Sequence, residues 1–239
     1  MHWIDAVFLF FLFGVMPIYG AVSYKRYLQR IAAGDLADRV SLYLGSMLLQ
    51  SAALLVLLVT WAILDRPFQD LGILLPERQG LLIGAVIIVL STGLLVYALI
   101  IARRLKANSR QAQIGSLGDL MHFLPQTDKE LRAGYLLSVT AGVVEEIVYR
   151  GFVLWCLFLY FPDWLALVIS SVAFGLAHSY QGVAGVFKTG GLGLVLAMTY
   201  VGTGTIWIPV IIHALIDILQ MATARELFRP VSEPEATQR

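Results

Sequence analysis

Long apolar runs alternate with short polar joints along this chain. Residues 6–24, 41–64 and 80–102 each form a run without one charged side chain. About 20 apolar residues, rising ~1.5 Å each, cross a hydrocarbon core of roughly 30 Å. A longer apolar region covers residues 134–221 and is broken only by turn signals. Phe161-Pro162-Asp163 and Gly202-Thr203-Gly204 are two such joints. They predict helices over 134–160, 163–179, about 188–201 and 205–221. The pattern therefore predicts an all-α polytopic bundle of seven spans, or eight if 182–201 is split.

The first run is expected to stay as a span. It lacks a basic leading segment, is long for a signal peptide, and has no small-residue cleavage site close behind it. Lysine and arginine set the expected orientation. Lys25, Arg26, Arg30 and Arg39 follow the first run, and Arg103, Arg104, Lys106, Arg110, Lys129 and Arg132 follow the third. Only Arg66 and Arg78 follow the second. This alternation puts the N-terminus outside and the C-terminus in the cytoplasm, in a multi-pass protein of the cell (inner) membrane.

Composition agrees. The 239 residues are 59% hydrophobic and 14% charged, against roughly 45–50% and about 25% in soluble domains; mean hydropathy is +0.79. A disordered chain is excluded, and a soluble enzyme is disfavoured. A net charge of +1 offers no field for nucleic acid. The single cysteine, Cys156, excludes an intrachain disulfide and reads as core packing. One transmembrane domain is expected over 1–228, with a disordered cytoplasmic tail over 229–239. Within the polar stretch 103–132, an amphipathic piece over 114–124 is expected on the membrane surface.

Ionisable groups sharpen the picture. The first three spans look electrically empty, and every buried ionisable side chain is expected among Glu145, Glu146, Arg150, His178, His213 and Asp217. A charge at the bilayer centre costs roughly 2.5–3.5 kcal/mol on insertion scales and usually faces a wet interior. Glu146 and Arg150 are four apart, as are Phe174 and His178, and His213 and Asp217; each pair shares a helix face. With Glu145 roughly 17 Å along its helix, the depths suit one shared site open to the cytoplasm.

A carboxylate and an imidazole beside one water can take its proton, and a second histidine can stabilise an oxyanion. That is amide hydrolysis without a covalent nucleophile. Structural readings stand beside it: Glu146–Arg150 as a helix staple, His213–Asp217 as bundle packing, and His178 as an interfacial cap. His2 and His122 read as surface residues. Ser138, Ser170 and Ser171 read as helix packing. Gly182, Gly185, Gly190, Gly191 and Gly193 read as close helix approach or a break.

Three motifs then coincide. Glu145-Glu146-x-x-x-Arg150, Phe174-x-x-x-His178 and His213-x-x-x-Asp217 occur in that order on three helices. They resemble the E-E-x-x-x-R, F-x-x-x-H and H-x-x-x-[N/D] motifs of the CAAX protease and bacteriocin-processing (CPBP/Abi) family. That family comprises intramembrane glutamic endopeptidases and includes the type II CAAX prenyl proteases. The resemblance runs over about 124–219, and the motif-bearing half is taken as 124–221. It implies a cavity open to the cytoplasm, water activation by Glu145 and His178, and an oxyanion role for His213 with Asp217. It also implies support from Glu146, Arg150 and Phe174. Asp217 departs from the Asn of the best-understood prenyl proteases, and an ionised aspartate cannot donate to an oxyanion.

The implied partners are a peptide or lipidated-protein substrate and the lipid bilayer, with no nucleic acid. No cofactor is expected. Other readings stay open. A divalent metal on the same glutamates and histidines would make a metal-dependent protease, although no H-E-x-x-H occurs. Intramembrane acids and histidines also build ion-coupled transporters. A non-catalytic immunity or scaffold member of the family is the third.

Overall fold

The computed structural model describes residues 1–35 and 38–229. The expected disordered tail lies, but for Arg229, outside the described residues. Among these residues all regular structure is helical. We label the helices α1 (Trp3–Ala32), α2 (Arg39–Ile63), α3 (Arg78–Arg104), α4 (Ala107–Ser116), α5 (residues 128–158), α6 (Asp163–Ala177), α7 (Gly182–Thr203) and α8 (Trp207–Leu227).

Five of these are long and apolar enough to cross a membrane: α1, α2, α3, α8, and α7 with the 3₁₀ turn before it. Helix α6 is a shorter apolar helix of 15 residues. At ~1.5 Å per residue α5 spans roughly 45 Å, but its apolar stretch carries Glu145, Glu146 and Arg150. Seven helices thus stand where seven spans were expected, and among the described residues α7 is not split. It begins at Gly182 rather than near 188.

Helix α5 begins at Asp128, six residues before the expected start. The Thr127 hydroxyl accepts from the Glu130 N–H at 3.2 Å, and the Glu130 carboxylate accepts from the Thr127 N–H at 2.9 Å. This capping box satisfies donors that a helix start leaves orphaned. Helix α5 is α-helical over Asp128–Glu146, π-helical over Ile147–Val153 and α-helical again over Leu154–Phe158. Nothing in the 3.6-residue reading of the sequence anticipates the wide turn.

Helices α2 and α5 run parallel and in register. Arg39 meets Glu130 at 3.3 Å at one end. Gln50 meets Glu145 at 3.1 Å midway. The Trp61 and Trp155 rings lie 4.9 Å apart at the other end. There the Arg66 guanidinium packs against both rings, 5.0 and 4.9 Å from their centroids, and pairs with Asp5 at 2.8 and 2.9 Å. The expectation that every buried ionisable side chain lies among Glu145, Glu146, Arg150, His178, His213 and Asp217 is therefore corrected, because Asp5 and Arg39, just outside the first two apolar runs, are both buried. Each charge is tolerated because it is paired and hydrogen-bonded.

The amphipathic piece at 114–124 is tied to the bundle. It forms the end of α4 and a 3₁₀ turn over Gly118–His122. The hydroxyls of Tyr24, Tyr27 and Tyr43 donate to the carbonyls of Asp119, His122 and Phe123. Leu117, Leu120 and Phe123 face an internal cavity. Three tyrosine anchors hold this segment against the bundle.

Two close approaches set the centre. A Cβ on Gly142 of α5 would meet the Ala214 Cβ and N of α8, both at 2.9 Å. A Cβ on Gly175 of α6 would meet the Val186 carbonyl oxygen of α7 at 2.6 Å. Glycine at these points lets backbones touch, as small residues do in membrane bundles. Gly142→Leu is expected to wedge α5 from α8, lowering stability by about 1–3 kcal/mol. Thermal unfolding in detergent checks this, and an unchanged Tm would show that the helices have room to spare. Cys156 is buried in the core, as expected. The hydroxyls of Ser138, Ser170 and Ser171 donate to backbone carbonyls in or between helices.

Candidate active site

The Gly142 approach brings two of the three motif-bearing helices, α5 and α8, together, and the Phe174 ring on α6 lies 5.8 Å from that of His213 on α8. Glu145 and Glu146 end the α-helical part of α5, and Arg150 lies in the π-helical turn. His178 caps the C-terminus of α6. His213 and Asp217 lie one turn apart on α8, beside Ala214, the residue that Gly142 touches.

Glu146 and Arg150 form the dry floor, with side chains 0% and 1% exposed. Arg150 Nη1 donates to Glu146 Oε1 at 2.7 Å, and Nη2 donates to the Gly193 carbonyl at 2.9 Å. The guanidinium lies 4.4 Å from the centroid of the Phe174 ring. A Cβ on Gly193 would stand 3.0 Å from Phe174 and 3.4 Å from the guanidinium. Gly193 therefore brings the α7 backbone to Arg150. Gly191 has open space beside it and plays no such part.

Glu146 has a second partner that sequence spacing does not reveal. His213 Nδ1 lies 2.7 Å from Glu146 Oε1, the oxygen that also accepts from Arg150. A carboxylate only accepts, so Nδ1 carries the proton. His178 Nδ1 lies 2.9 Å from the Phe174 carbonyl oxygen. A carbonyl also only accepts, so this Nδ1 carries a proton too. In their neutral forms both imidazoles then present an Nε2 lone pair.

Those lone pairs face Glu145. Its Oε2 lies 3.7 Å from His178 Nε2 and 4.0 Å from His213 Nε2. His213 Nε2 is also 3.7 Å from Asp217 Oδ2. Glu145 Oε2 has no hydrogen-bond partner among the described residues. Its other oxygen, Oε1, accepts from Gln50 Nε2 at 3.1 Å. Acceptors thus converge from two carboxylates and two imidazoles. Three of the four distances concern Nε2 atoms whose Nδ1 partners orient the ring, the arrangement that makes a histidine a directed base. Among the described residues, no group of three or more His, Cys, Asp and Glu side chains could hold a metal ion.

The convergence lies on the wall of a cavity of about 1120 Å³. Glu145, His178, His213 and Asp217 all line it, along with Leu12, Met16, Leu49, Leu94 and Leu120. Exposure rises from Glu145 (14%) and His178 (16%) to Asp217 (30%). The cavity reaches Ser41, Phe123 and Tyr180, at the end of the bundle where α2 starts. Phe174 bridges the whole site. Its ring centroid is 4.8 Å from that of His178, 5.8 Å from that of His213 and 5.1 Å from that of Tyr149.

Every residue singled out from the three motifs is therefore brought together. Gln50 was missed. Its signal was available: Tyr43, Gln50 and Leu57 are seven residues apart, on the stripe of α2 that turns inward at buried Tyr43, Leu57 and Trp61. An amide on an inward stripe needs a polar partner.

Comparison with known proteins identifies the same stretch. Residues 128–219 match the family model described as "Type II CAAX prenyl endopeptidase Rce1-like". This bears out the resemblance over the segment that holds the three motifs. Over 101 residues, which make up 42% of this chain, the sequence is 27% identical to "Putative membrane peptidase YdiL" of Bacillus subtilis (strain 168). The match spans about two fifths of that relative's length, 41%. No solved structure matches.

Proposed function

We propose that this protein is an intramembrane endopeptidase that hydrolyses a peptide bond of a membrane-associated or lipidated substrate without a metal ion. The observation that carries the reading is the position of Glu145 Oε2 between two Nε2 atoms whose Nδ1 atoms are held by acceptors.

Glu145 and His178 take a proton from a water molecule held between them. The hydroxide attacks the substrate carbonyl, and the oxyanion forms on the side of His213. Protonated on both nitrogens, His213 donates from Nε2 to that oxyanion while Glu146 balances the charge at Nδ1. The C–N bond then breaks, and the proton taken from water passes to the leaving amine. Arg150 and Phe174 hold Glu146, His178 and His213 in place. Glu146 already orients His213 through Nδ1, while Asp217 Oδ2, 3.7 Å from Nε2, balances the charge of the doubly protonated ring on that side.

The apolar lining supports a hydrophobic or lipid-bearing substrate. The lysines and arginines expected to face the cytoplasm, from Lys25 to Arg39 and from Arg103 to Arg132, neighbour in sequence the cavity-lining residues Tyr24, Ser41, Ser116 and Phe123, which supports entry from that side of the cell membrane.

The test is cleavage by purified protein in detergent. Fluorogenic peptides with and without a prenyl group are offered to wild type and Glu145→Ala, with and without chelator. Cleavage that is lost in the variant and indifferent to chelator is the expected result. Loss with chelator and recovery with a divalent ion would replace this reading with a metal-dependent one. Glu145-dependent ion flux in proteoliposomes without cleavage would replace it with transport.

A further inference from the structure

We infer that Gln50 is a positioning residue for Glu145, supplied by a helix outside the segment that matches the family model. The inference rests on the functional reading above and deepens it.

A carboxylate acting as a base has two oxygens and must present the right one. Glu145 Oε2 faces both imidazoles, but nothing on α5 itself fixes the rotation of its carboxyl group. The Gln50 amide does so from across the α2–α5 interface, with Nε2 donating to Oε1 at 3.1 Å. The amide must be oriented this way, because its carbonyl oxygen would repel the carboxylate. The contact occupies Oε1 and leaves Oε2 as the one oxygen turned to His178 and His213.

Three further observations make the contact more than incidental. The α2–α5 register is fixed on both sides of it, by Arg39–Glu130 and by Trp61–Trp155. The amide therefore cannot slide along α5. Gln50 lines the same cavity as Glu145, so it acts at the site and not at a remote joint. Its carbonyl oxygen, Oε1, is buried with no hydrogen-bond partner among the described residues. An apolar side chain would avoid that cost, so packing alone does not account for an amide here.

The family match begins at residue 128. On this inference the catalytic geometry is not complete within that stretch, because α2 supplies the donor that orients the base.

The test measures kcat, KM and Tm on the cleaved peptide for wild type, Glu145→Gln, Gln50→Met and Gln50→Ala. Methionine keeps length and apolar fit but removes the donor. Alanine gives a second variant if methionine disturbs folding. Both are expected to lose about 10- to 100-fold in kcat, the scale of one hydrogen bond to a charged group. KM is expected to stay within about twofold and Tm near wild type, a split that loss of folding would not produce. Wild-type kcat in both Gln50 variants, with Glu145→Gln inactive, overturns this inference and leaves the functional reading standing. So does a fall in kcat that only tracks lost folded protein. Full activity in Glu145→Gln overturns the functional reading, and this inference with it.

Discussion

Glu145→Gln is expected to lower kcat by about 10²- to 10⁴-fold, the range over which a positioned general base contributes, with little change in Tm. The replacement is nearly isosteric and can still accept from Gln50 Nε2 through its remaining oxygen. The local packing between α2 and α5 therefore survives. What changes is the sign of the chemistry on the other side. In place of Oε2 the amide presents N–H donors to His178 Nε2 and His213 Nε2, 3.7 and 4.0 Å from the original oxygen. The His178 lone pair then meets a donor on the protein itself, the doubly protonated His213 loses the carboxylate that its Nε2 faces, and no carboxylate is left to take a proton from water. Paired kcat and Tm measurements on the purified variant check this. An active variant with unchanged Tm would mean that Glu145 only fills the cavity wall.

Much of this site is legible in the sequence because its parts obey helix arithmetic. Phe174 and His178 are one turn apart, and the structure uses that turn directly, with the Phe174 carbonyl accepting from His178 Nδ1. His213 and Asp217 share a face, and both line the cavity. The burial of charge in an apolar chain also marks Glu145, Glu146 and Arg150 before any geometry is known. Other features depend on partners far apart in sequence, which periodicity cannot supply. The Glu146–His213 bond spans 67 residues and the Gln50–Glu145 bond 95. Asp5 and Arg66 flank apolar runs, and they find each other across 61 residues against two tryptophans. The early start of α5 is a different case. Thr127 and Glu130 have capping-box spacing, and that local signal is outweighed in a reading that follows hydrophobicity alone.

The Glu146–Arg150 pair separates a structural role from a chemical one. Glu146→Ala is expected to cost about 3–5 kcal/mol, because removing one partner of a buried ion pair leaves the other charge uncompensated. Arg150, 1% exposed, would keep only the Gly193 carbonyl and the Phe174 ring. Replacing both members with apolar residues, as in Glu146→Leu/Arg150→Met, is expected to restore most of that stability, since no buried charge is then left alone. It is not expected to restore cleavage. His213 Nδ1 loses its acceptor in both variants, so neither the ring orientation nor the charge balance needed at Nε2 is recovered. Tm and kcat should therefore part company: low and low in the single variant, near wild type and low in the double. If the double variant cleaves at the wild-type rate, Glu146 and Arg150 only staple α5, and His213 needs no partner at Nδ1. The π-helical turn bears on this outcome as well. It begins at Ile147, directly after Glu146, and carries Arg150 within it. It thus holds a cation against Glu146 from within α5, while the α-helical side of Glu146 meets His213 on α8. A wide turn at that point lets one carboxylate oxygen serve the helix and the histidine at once, and the stability and rate of the double variant measure those two services separately.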